Sequence, residues 1–266
     1  MAKVLVTDTS LTNIANAIRG KNSTSTTYKP AEMAAAIANL PSGGTQNWTA
    51  EGRMFPQDLA VSLPASVTTI GNYAFSNTPI TSIAFNSNIT YIGDYAFRGT
   101  KLTEITIPET VTEIGVSAFQ SIPTITHIVI PSATNIINQY AFSSCASLTT
   151  VKILSRPTQL SAQLFASCSA LSTINIPSSI NSIGWGVFYG CKNLEFVTID
   201  NGFNVNGNMY LSASTKYSRE TIVSWLNALY NRTGLTSYRF TIGSTNLAKL
   251  TTDDIAIATN KNWTLA

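Results

Sequence analysis

Apolar residues recur along the middle of the chain with a period of 22 to 23 residues. A phenylalanine marks each period, at Phe75, Phe97, Phe119, Phe142, Phe165 and Phe188. A second apolar position recurs with it, at Ile80, Leu102, Ile125, Leu148, Leu171 and Leu194. A unit of this length cannot bury its own apolar face, and it becomes stable only by stacking on its neighbours. The pattern therefore predicts a solenoid, whose function lies on its surface.

Each unit predicts two short β-strands followed by a turn. The most regular unit, residues 102–121, reads LTEITIPETVTEIGVSAFQS. Its residues 102–108 alternate apolar and polar side chains up to a proline, which is typical of a strand that ends there. A second strand over 111–114 ends at a glycine position, which is occupied in other units by Gly71, Gly93, Asn138, Ser161 and Gly184. Because glycine and asparagine tolerate a positive φ, we expect a left-handed turn at this position.

The outward side chains of the first strand differ in chemistry from unit to unit. One outward column holds Ser82, Glu104, His127, Thr150, Thr173 and Phe196, and the next holds Ala84, Thr106, Val129, Lys152, Asn175 and Thr198. Such variation indicates freedom from packing, and the sheet faces of repeat proteins form extended binding surfaces. The sequence therefore predicts a partner-binding face, with the candidate residues Glu104, His127, Thr150, Lys152, Thr173, Asn175 and Phe196.

A third column precedes the repeated phenylalanine by two residues and holds Tyr73, Tyr95 and Tyr140. Stacked tyrosines of this kind can contact a glycan or a protein. They can also pack partly over the turns, as amphipathic rings commonly do, and we favour this second interpretation.

Residues 1–44 do not follow the repeat and predict a helical attachment module with a linker. Ser10 can cap one helix, Pro30 opens a second, and the segment PSGG at 41–44 forms a flexible joint. The apolar faces of the two helices carry Leu11, Ile14, Ile18, Met33, Ile37 and Leu40. These faces are too narrow for an independent core, so we predict that the hairpin docks on another protein. An N-terminal cap of the solenoid is the alternative.

After the solenoid, which is predicted over residues 45–202, the pattern changes again. Residues 203–266 predict a C-terminal α/β cap, because the terminal repeats of a solenoid need a polar outer side. Within the cap we expect a helix after Ser218, a strand at 238–242, and a second helix entered through Thr252, Asp253 and Asp254.

Composition narrows the classes of function. Only 11% of the residues are charged, against about a quarter in typical soluble proteins, which favours an extracellular or virion surface rich in Ser, Thr and Asn. The net charge of +3 comes from scattered Lys and Arg, and we predict no nucleic-acid binding. The segment MAKVLVTDTS lacks the features of a signal peptide, and the chain has no apolar run of about 18 residues. We therefore expect neither Sec export by its own signal nor membrane insertion.

Catalytic and metal-binding residues are sparse. His127 is the only histidine, and the chain has neither a phosphate-binding glycine loop nor a G-x-S-x-G elbow. We predict no enzymatic activity and no cofactor. Cys145, Cys168 and Cys191 recur three residues after the phenylalanine. A metal site or a disulfide is one interpretation, but stacked side chains do not converge as tetrahedral ligation needs, and we predict a column of buried free thiols.

The unit L-x-x-I-x-I-P-x-x-V-x-x-I-G-x-x-A-F resembles the BspA-like class of leucine-rich repeats over residues 57–200. The resemblance implies a leucine-rich-repeat solenoid of short parallel β-strands that functions in adhesion or protein binding without catalysis. The opening segments LTNIANAIRGK and YKPAEMAAAI look like a module of phage tail-associated and minor structural proteins. The ending, residues 241–266, looks like the closing cap of repeat proteins from the same phages.

Together these resemblances imply a phage virion protein, tail- or fibre-associated, that is a homo-oligomer on the particle. Its N-terminal module would bind other virion proteins, and its repeats would bind a host cell-surface protein or glycan. Two alternatives stay open at this point. One is a bacterial cell-surface adhesin of the BspA-like class, and the other is a head fibre or decoration protein attached to the capsid.

Overall fold

The structure, a computed structural model, describes residues 46–48, 54–56, 59–63, 65–200, 205 and 207–266. The predicted helical hairpin lies outside these residues, and with it the candidate attachment residues Leu11, Ile14, Ile18, Met33, Ile37 and Leu40.

Short strands follow one another along the described chain. In chain order they are β1 (Gln46–Trp48), β2 (Met54–Pro56), β3 (Leu59–Ser62), β4 (Thr69–Ile70), β5 (Ile80–Ala84), β6 (Tyr91–Ile92), β7 (Glu113–Ile114), β8 (His127–Ile130), β9 (Ile136–Ile137), β10 (Thr150–Ile153), β11 (Gln159–Leu160), β12 (Thr173–Ile176), β13 (Ser182–Ile183) and β14 (Phe196–Ile199). The C-terminal part adds β15 (Met209–Tyr210), α1 (Arg219–Ala228), β16 (Tyr238–Thr241), α2 (Ser244–Leu247), α3 (Thr252–Thr259) and β17 (Trp263–Leu265).

The strands pair in the parallel manner predicted for stacked rungs. The strands β8, β10, β12 and β14 form a four-stranded parallel sheet, which we call the face sheet. Before it, β3 pairs with β5. A second parallel sheet contains β4, β6, β7 and β9, and β11 pairs with β13. The first two strands, β1 and β2, form an antiparallel pair.

The most regular unit of the sequence lacks its first strand. Thr103 still donates its N–H to the Thr81 carbonyl at 3.1 Å, but residues 104–107 form no strand. The strand predicted over 102–108 is therefore wrong, although Ile105 and Ile107 point inward as expected. The preceding unit carries Phe85 where later units carry isoleucine, and its ring packs edge-on against Phe97. We attribute the lost pairing to this larger side chain.

The repeated phenylalanines form a continuous stack in the core, as predicted. Adjacent rings are nearly parallel, and their centroids lie 5.2 to 6.0 Å apart. From Phe97 to Phe165 the rings are fully buried. Each pair of neighbouring rungs therefore shares one large apolar contact, which is the energetic basis of the stack.

The turns beside this stack form a third ladder of hydrogen bonds, which we call the turn ladder. In every rung but the last, the phenylalanine and the residues two before and two after it donate their N–H groups to carbonyls of the following rung. In one rung, for example, Ser117, Phe119 and Ser121 donate to Gln139, Ala141 and Ser143 at 2.8 to 2.9 Å. All these donors face the same way along the rod. The residues two before and two after the phenylalanine have positive φ, as at Ser117 (54°) and Ser121 (59°).

The prediction of a left-handed turn at the glycine position is wrong. Gly93, Gly115 and Gly184 do not have positive φ, and the left-handed residue comes two positions later. Glycine is needed here because the neighbouring rung comes too close for a side chain. A Cβ on Gly115 would lie 2.6 Å from the backbone N of Asp94. Ser161 replaces this glycine, and its hydroxyl, in place of a backbone N–H, donates to the Ile137 carbonyl. The second sheet is interrupted at this point, between β9 and β11.

The three cysteines are buried and free, as predicted for this column. The thiols of Cys145, Cys168 and Cys191 donate to the carbonyls of Phe119, Phe142 and Phe165 at 3.1 to 3.2 Å. Burial raises the pKa of the Cys168 thiol to about 12 and raises the pKa values of the other two as well. The thiols therefore stay protonated and serve as small core side chains.

The C-terminal part closes the core with longer units. The strands β15, β16 and β17 form a parallel sheet, and Ser218 caps α1 by accepting from the Thr221 N–H, as predicted. Trp225 of α1 is fully buried and donates its indole N–H to the Val197 carbonyl of β14. The α3 helix begins with the capping box of Thr251 and Asp254.

Side-chain bonds hold the cap elements together. Arg219 forms a bidentate pair with Asp254 at 2.8 Å, which joins α1 to α3. Lys261 donates to the carbonyls of Leu226, Asn227 and Leu229 at the end of α1. No helix in the described part of the chain has the length and apolar character needed to cross a bilayer.

Candidate functional site

The face sheet aligns most of the predicted binding residues. Its register places His127 beside Thr150, Thr150 beside Thr173, and Thr173 beside Phe196. Two residues further along these strands, Lys152 lies beside Val129 and Asn175 lies beside Thr198. Stacked parallel strands lie about 4.8 Å apart, so the predicted residues of these four rungs form one continuous surface.

Exposure on this surface is high where the sequence predicts it. Phe196 is 57% exposed, a large fraction for a phenylalanine that ends a row of polar residues. His127, Thr150, Lys152 and Asn175 are exposed, and Thr173 is half-buried. The face sheet therefore presents imidazole, hydroxyl, ammonium, amide and aromatic groups on its outer side, and none of these side chains belongs to the core.

Local hydrogen bonds orient two groups of the face. The His127 Nδ1 lies 3.2 Å from the Thr126 hydroxyl, and the Thr198 hydroxyl donates to the Asn175 Oδ1 at 2.6 Å. The ammonium of Lys152 has no carboxylate partner among the described residues. It is accessible to an acceptor on a partner.

Glu104 is separated from this array. It is exposed, but it belongs to residues 104–107, which form no strand, and no backbone pairing joins it to β8. The face that the sequence predicts as one column is thus divided. His127, Thr150, Thr173 and Phe196 share a sheet, while Glu104 and Ser82 lie on the N-terminal side of a break.

The acidic side chains nearby are engaged in structural bonds. Glu109 accepts from the N–H and the hydroxyl of Ser132 at 3.2 and 3.0 Å, and Glu113 accepts from the Asn138 amide at 3.2 Å. Across the residues that the structure describes, no three His, Cys, Asp or Glu side chains come together as a metal site would need.

The tyrosine column lies over the turn ladder. The rings of Tyr73 and Tyr95 stack with centroids 4.8 Å apart, and the Arg98 guanidinium lies 5.7 Å from the centre of the Tyr95 ring. Tyr140 is separated from this pair by the Ser117 rung. The predicted packing over the turns is present, although half of Tyr73 stays exposed.

Sequence reasoning missed a cleft beside the last rung of the turn ladder, which we call the end cleft. Its volume is about 710 Å³, and its walls include Trp185, Gly186, Tyr189, Gly190, Lys192 and Tyr210. Trp185 and Tyr189 are 64% and 65% exposed, with ring centroids 6.4 Å apart.

A break in the repeat pattern is the signal that could have found this cleft. The position of Trp185 holds Asn72, Asp94, Val116, Gln139 and Ala162 in earlier rungs. The position of Tyr189 holds Ser76, Arg98, Gln120, Ser143 and Ala166. Two large exposed aromatic residues therefore enter columns that are otherwise polar or small.

Comparison with known families identifies the class of the repeats. The profile of the BspA type leucine rich repeat region matches six copies over residues 59–171 and 112–233, more than half of the chain. The chain belongs to the family of BspA-type leucine-rich repeat proteins. No curated protein sequence matches it.

Several solved structures resemble the chain, among them three leucine-rich proteins of bacteria. A leucine-rich repeat protein from Bacteroides ovatus is 22% identical, with a TM-score of 0.42 over 78% of this chain and 60% of that one. One from Eubacterium ventriosum is 18% identical, with a TM-score of 0.37 over 70% and 61%. A leucine rich cell surface protein from Faecalibacterium prausnitzii is 17% identical, with a TM-score of 0.34 over 79% and 60%. The chain thus spans about 60% of the length of these proteins.

Proposed function

We propose that the chain is a surface-displayed binding protein whose face sheet attaches it to a protein or glycan on a cell. The observation that carries the proposal is the row of His127, Thr150, Thr173 and Phe196, which is in register and exposed except at the half-buried Thr173. A rigid sheet presents these groups at little entropic cost on binding. An exposed phenylalanine beside polar groups has the composition of an interface centre with its rim.

Family membership supports the same class of function. In the described repeats the phenylalanine column fills the interior, and the side chains that vary from unit to unit lie on the surface. We propose that the chain acts at a bacterial cell surface, by adhesion and without catalysis.

Binding of the labelled full chain to intact bacterial and epithelial cells tests this function. A face variant combines His127→Ala, Lys152→Ala and Phe196→Ala. Its matched control combines Thr158→Ala, Gln159→Ala and Asn181→Ala, which are exposed residues away from the face sheet. We expect the face variant to bind at least about tenfold more weakly, as loss of an interface centre does, and the control to bind normally. Equal binding by both variants, or no binding to any cell by the unmodified chain, would contradict the proposal.

A phage virion is the second candidate location. It is favoured by the resemblance of the segments LTNIANAIRGK and YKPAEMAAAI to phage modules. In this case residues 1–44 attach the chain to a tail, fibre or capsid, and the face sheet meets the host. Mass spectrometry of purified particles and surface proteolysis of intact cells separate the two locations. The chain is expected in the particles in one case and among the protease-sensitive surface proteins in the other.

A further inference from the structure

The turn ladder has a direction, and a directional ladder ends differently at its two ends. Gln163, Phe165 and Ser167 donate their N–H groups to the carbonyls of the next rung, at residues 185, 187 and 189. Every earlier rung does the same. The carbonyls of the last rung are therefore used, and its own three N–H groups point onward, towards the C-terminal part.

The three amides at that end belong to Gly186, Phe188 and Gly190. None of them has a hydrogen-bond acceptor among the described residues. Gly186 and Gly190 have φ of 67° and 78°, and this is the one complete rung that has glycine at both left-handed positions. Without side chains at these two positions the Gly186 and Gly190 amides stay accessible, whereas Phe188 between them is buried. An unpaired backbone N–H is a strong donor that an anion can satisfy.

The end cleft surrounds these amides with further groups that suit an anion. Lys192 is its one charged residue, and no acidic side chain lines it. The Lys192 ammonium has no carboxylate partner in the part of the chain that the structure describes. Tyr210 and Ser212 form the wall on the C-terminal side, towards which the free amides point. Charge and dipoles therefore converge on one region.

The other groups of the end cleft suit a sugar ring. Trp185 and Tyr189 present nearly parallel, exposed ring faces, and such faces pack on the apolar side of a pyranose while their polar edges stay wet. Ser167, Ser169 and Ser212 supply hydroxyl groups. The volume of about 710 Å³ falls within the range of small-molecule sites, about 300 to 1,000 Å³.

We propose that the end cleft binds an acidic sugar, a pyranose that carries a carboxylate. The carboxylate accepts a hydrogen bond from the free amide of Gly186 or Gly190 and pairs with Lys192. The ring packs on Trp185 and Tyr189. This site is separate from the face sheet and does not depend on the function proposed for that face.

Titration of the full chain with methyl β-D-glucuronide, followed by ligand-observed NMR, tests the proposal. Methyl β-D-glucoside is the matched probe, since it has the same ring without the carboxylate. We expect the glucuronide to bind at least about tenfold more tightly, because charge-assisted hydrogen bonds are stronger than neutral ones. Equal binding of the two glycosides, or no binding of either, would overturn the proposal.

Two substitutions assign the binding to the end cleft. Lys192→Gln and Trp185→Ser each change an exposed side chain, so both variants are expected to keep the fold, which circular dichroism checks. Each should weaken glucuronide binding about tenfold or more, while Lys152→Gln on the face sheet should not. Undiminished binding by the Lys192→Gln variant places the site elsewhere and overturns the proposal, whether or not the Trp185 variant folds. An acetylated dipeptide carboxylate that binds as tightly as the glucuronide would overturn the sugar assignment.

Discussion

The repeat region and the C-terminal cap are both built from stacked parallel strands, but they are stabilised in different ways. Between residues 71 and 190 the same few contacts recur: a stacked phenylalanine, three turn-ladder bonds and an inward aliphatic column. The cap instead depends on unique side-chain bonds, such as Arg219 with Asp254 and Lys261 with the end of α1. Repeated contacts therefore stabilise the repeat region, where the units are alike. Individual side-chain hydrogen bonds stabilise the cap, where the units differ.

This difference determines what each region can do. In the repeats the inward positions are fixed by the neighbouring rungs, while the outward positions of the face sheet vary freely. In the cap the polar side chains are used internally, as Lys249 is when it donates to the carbonyls of Thr215 and Tyr217 at 2.7 Å. The two proposed binding surfaces accordingly lie on the repeats and at their junction with the cap.

The largest effect is expected from breaking the phenylalanine stack. Phe119→Ala should lower the free energy of unfolding by about 3 to 5 kcal/mol, because the ring is fully buried between two others. Phe196→Ala makes the same chemical change at an exposed position and should cost less than about 1 kcal/mol. Chemical denaturation measures both. Similar losses for the two variants would mean that the stack is not the interior.

A smaller effect is expected from filling the space between rungs. Gly115→Ala would place a Cβ 2.6 Å from the Asp94 backbone N, so we expect a loss of about 1 to 3 kcal/mol from overpacking. The equivalent position in the next rung already carries a side chain, at Asn138. Asn138→Ala is the control and should change the denaturation midpoint little. If Gly115→Ala were as stable as the unmodified chain, the close approach of the rungs would be refuted.

In the cap, we expect the loss of stability to come from removing side-chain hydrogen bonds. Lys261→Met keeps the aliphatic stem but removes three hydrogen bonds to the end of α1, and we expect a loss of about 1 kcal/mol. Lys216 makes a single exposed bond to Asn193, and Lys216→Met should be nearly neutral. Thermal melting of both variants checks this. Equal melting midpoints would show that Lys261 contributes nothing to the cap.

The smallest expected effect is a pH dependence of the cap. Hydrogen bonds from Arg219 and from the Thr251 N–H lower the pKa of Asp254. A carboxyl with a lowered folded-state pKa stabilises the fold above its unfolded pKa, and this contribution is lost as pH falls through the folded value. Melting midpoints measured from neutral pH into the acid range should fall less steeply for Asp254→Asn than for the unmodified chain. Parallel curves would contradict this role.

The sequence predicted the features that follow from side-chain periodicity. The phenylalanine stack, the buried cysteine column and the Ser218 cap all lie where expected, since period and capping residues encode which way a side chain faces. The outward positions were found in the same way, and six of the seven candidate residues share a sheet.

Features that depend on neighbouring rungs could not be predicted from one unit. The missing strand at 104–107 comes directly after a rung that carries a larger ring, Phe85, in the isoleucine column. The position of positive φ within the turn could not be predicted from residue type, since Tyr, Ser and Gln occupy it as well as glycine. The free amides of the end cleft follow from the direction of the turn ladder, and a periodic sequence gives no sign of the direction in which its backbone donors point.

Hydrogen exchange of the backbone amides, followed by NMR, tests the central claim that the rungs form a one-way ladder with an open C-terminal end. The account predicts strong protection for the amides of Gln163, Phe165 and Ser167, which donate to the following rung. It predicts fast exchange at the equivalent amides of the last rung, at Gly186, Phe188 and Gly190. Equal protection of the two sets would contradict the account, because the ladder would then continue beyond its last rung and the amides of the end cleft would not be free.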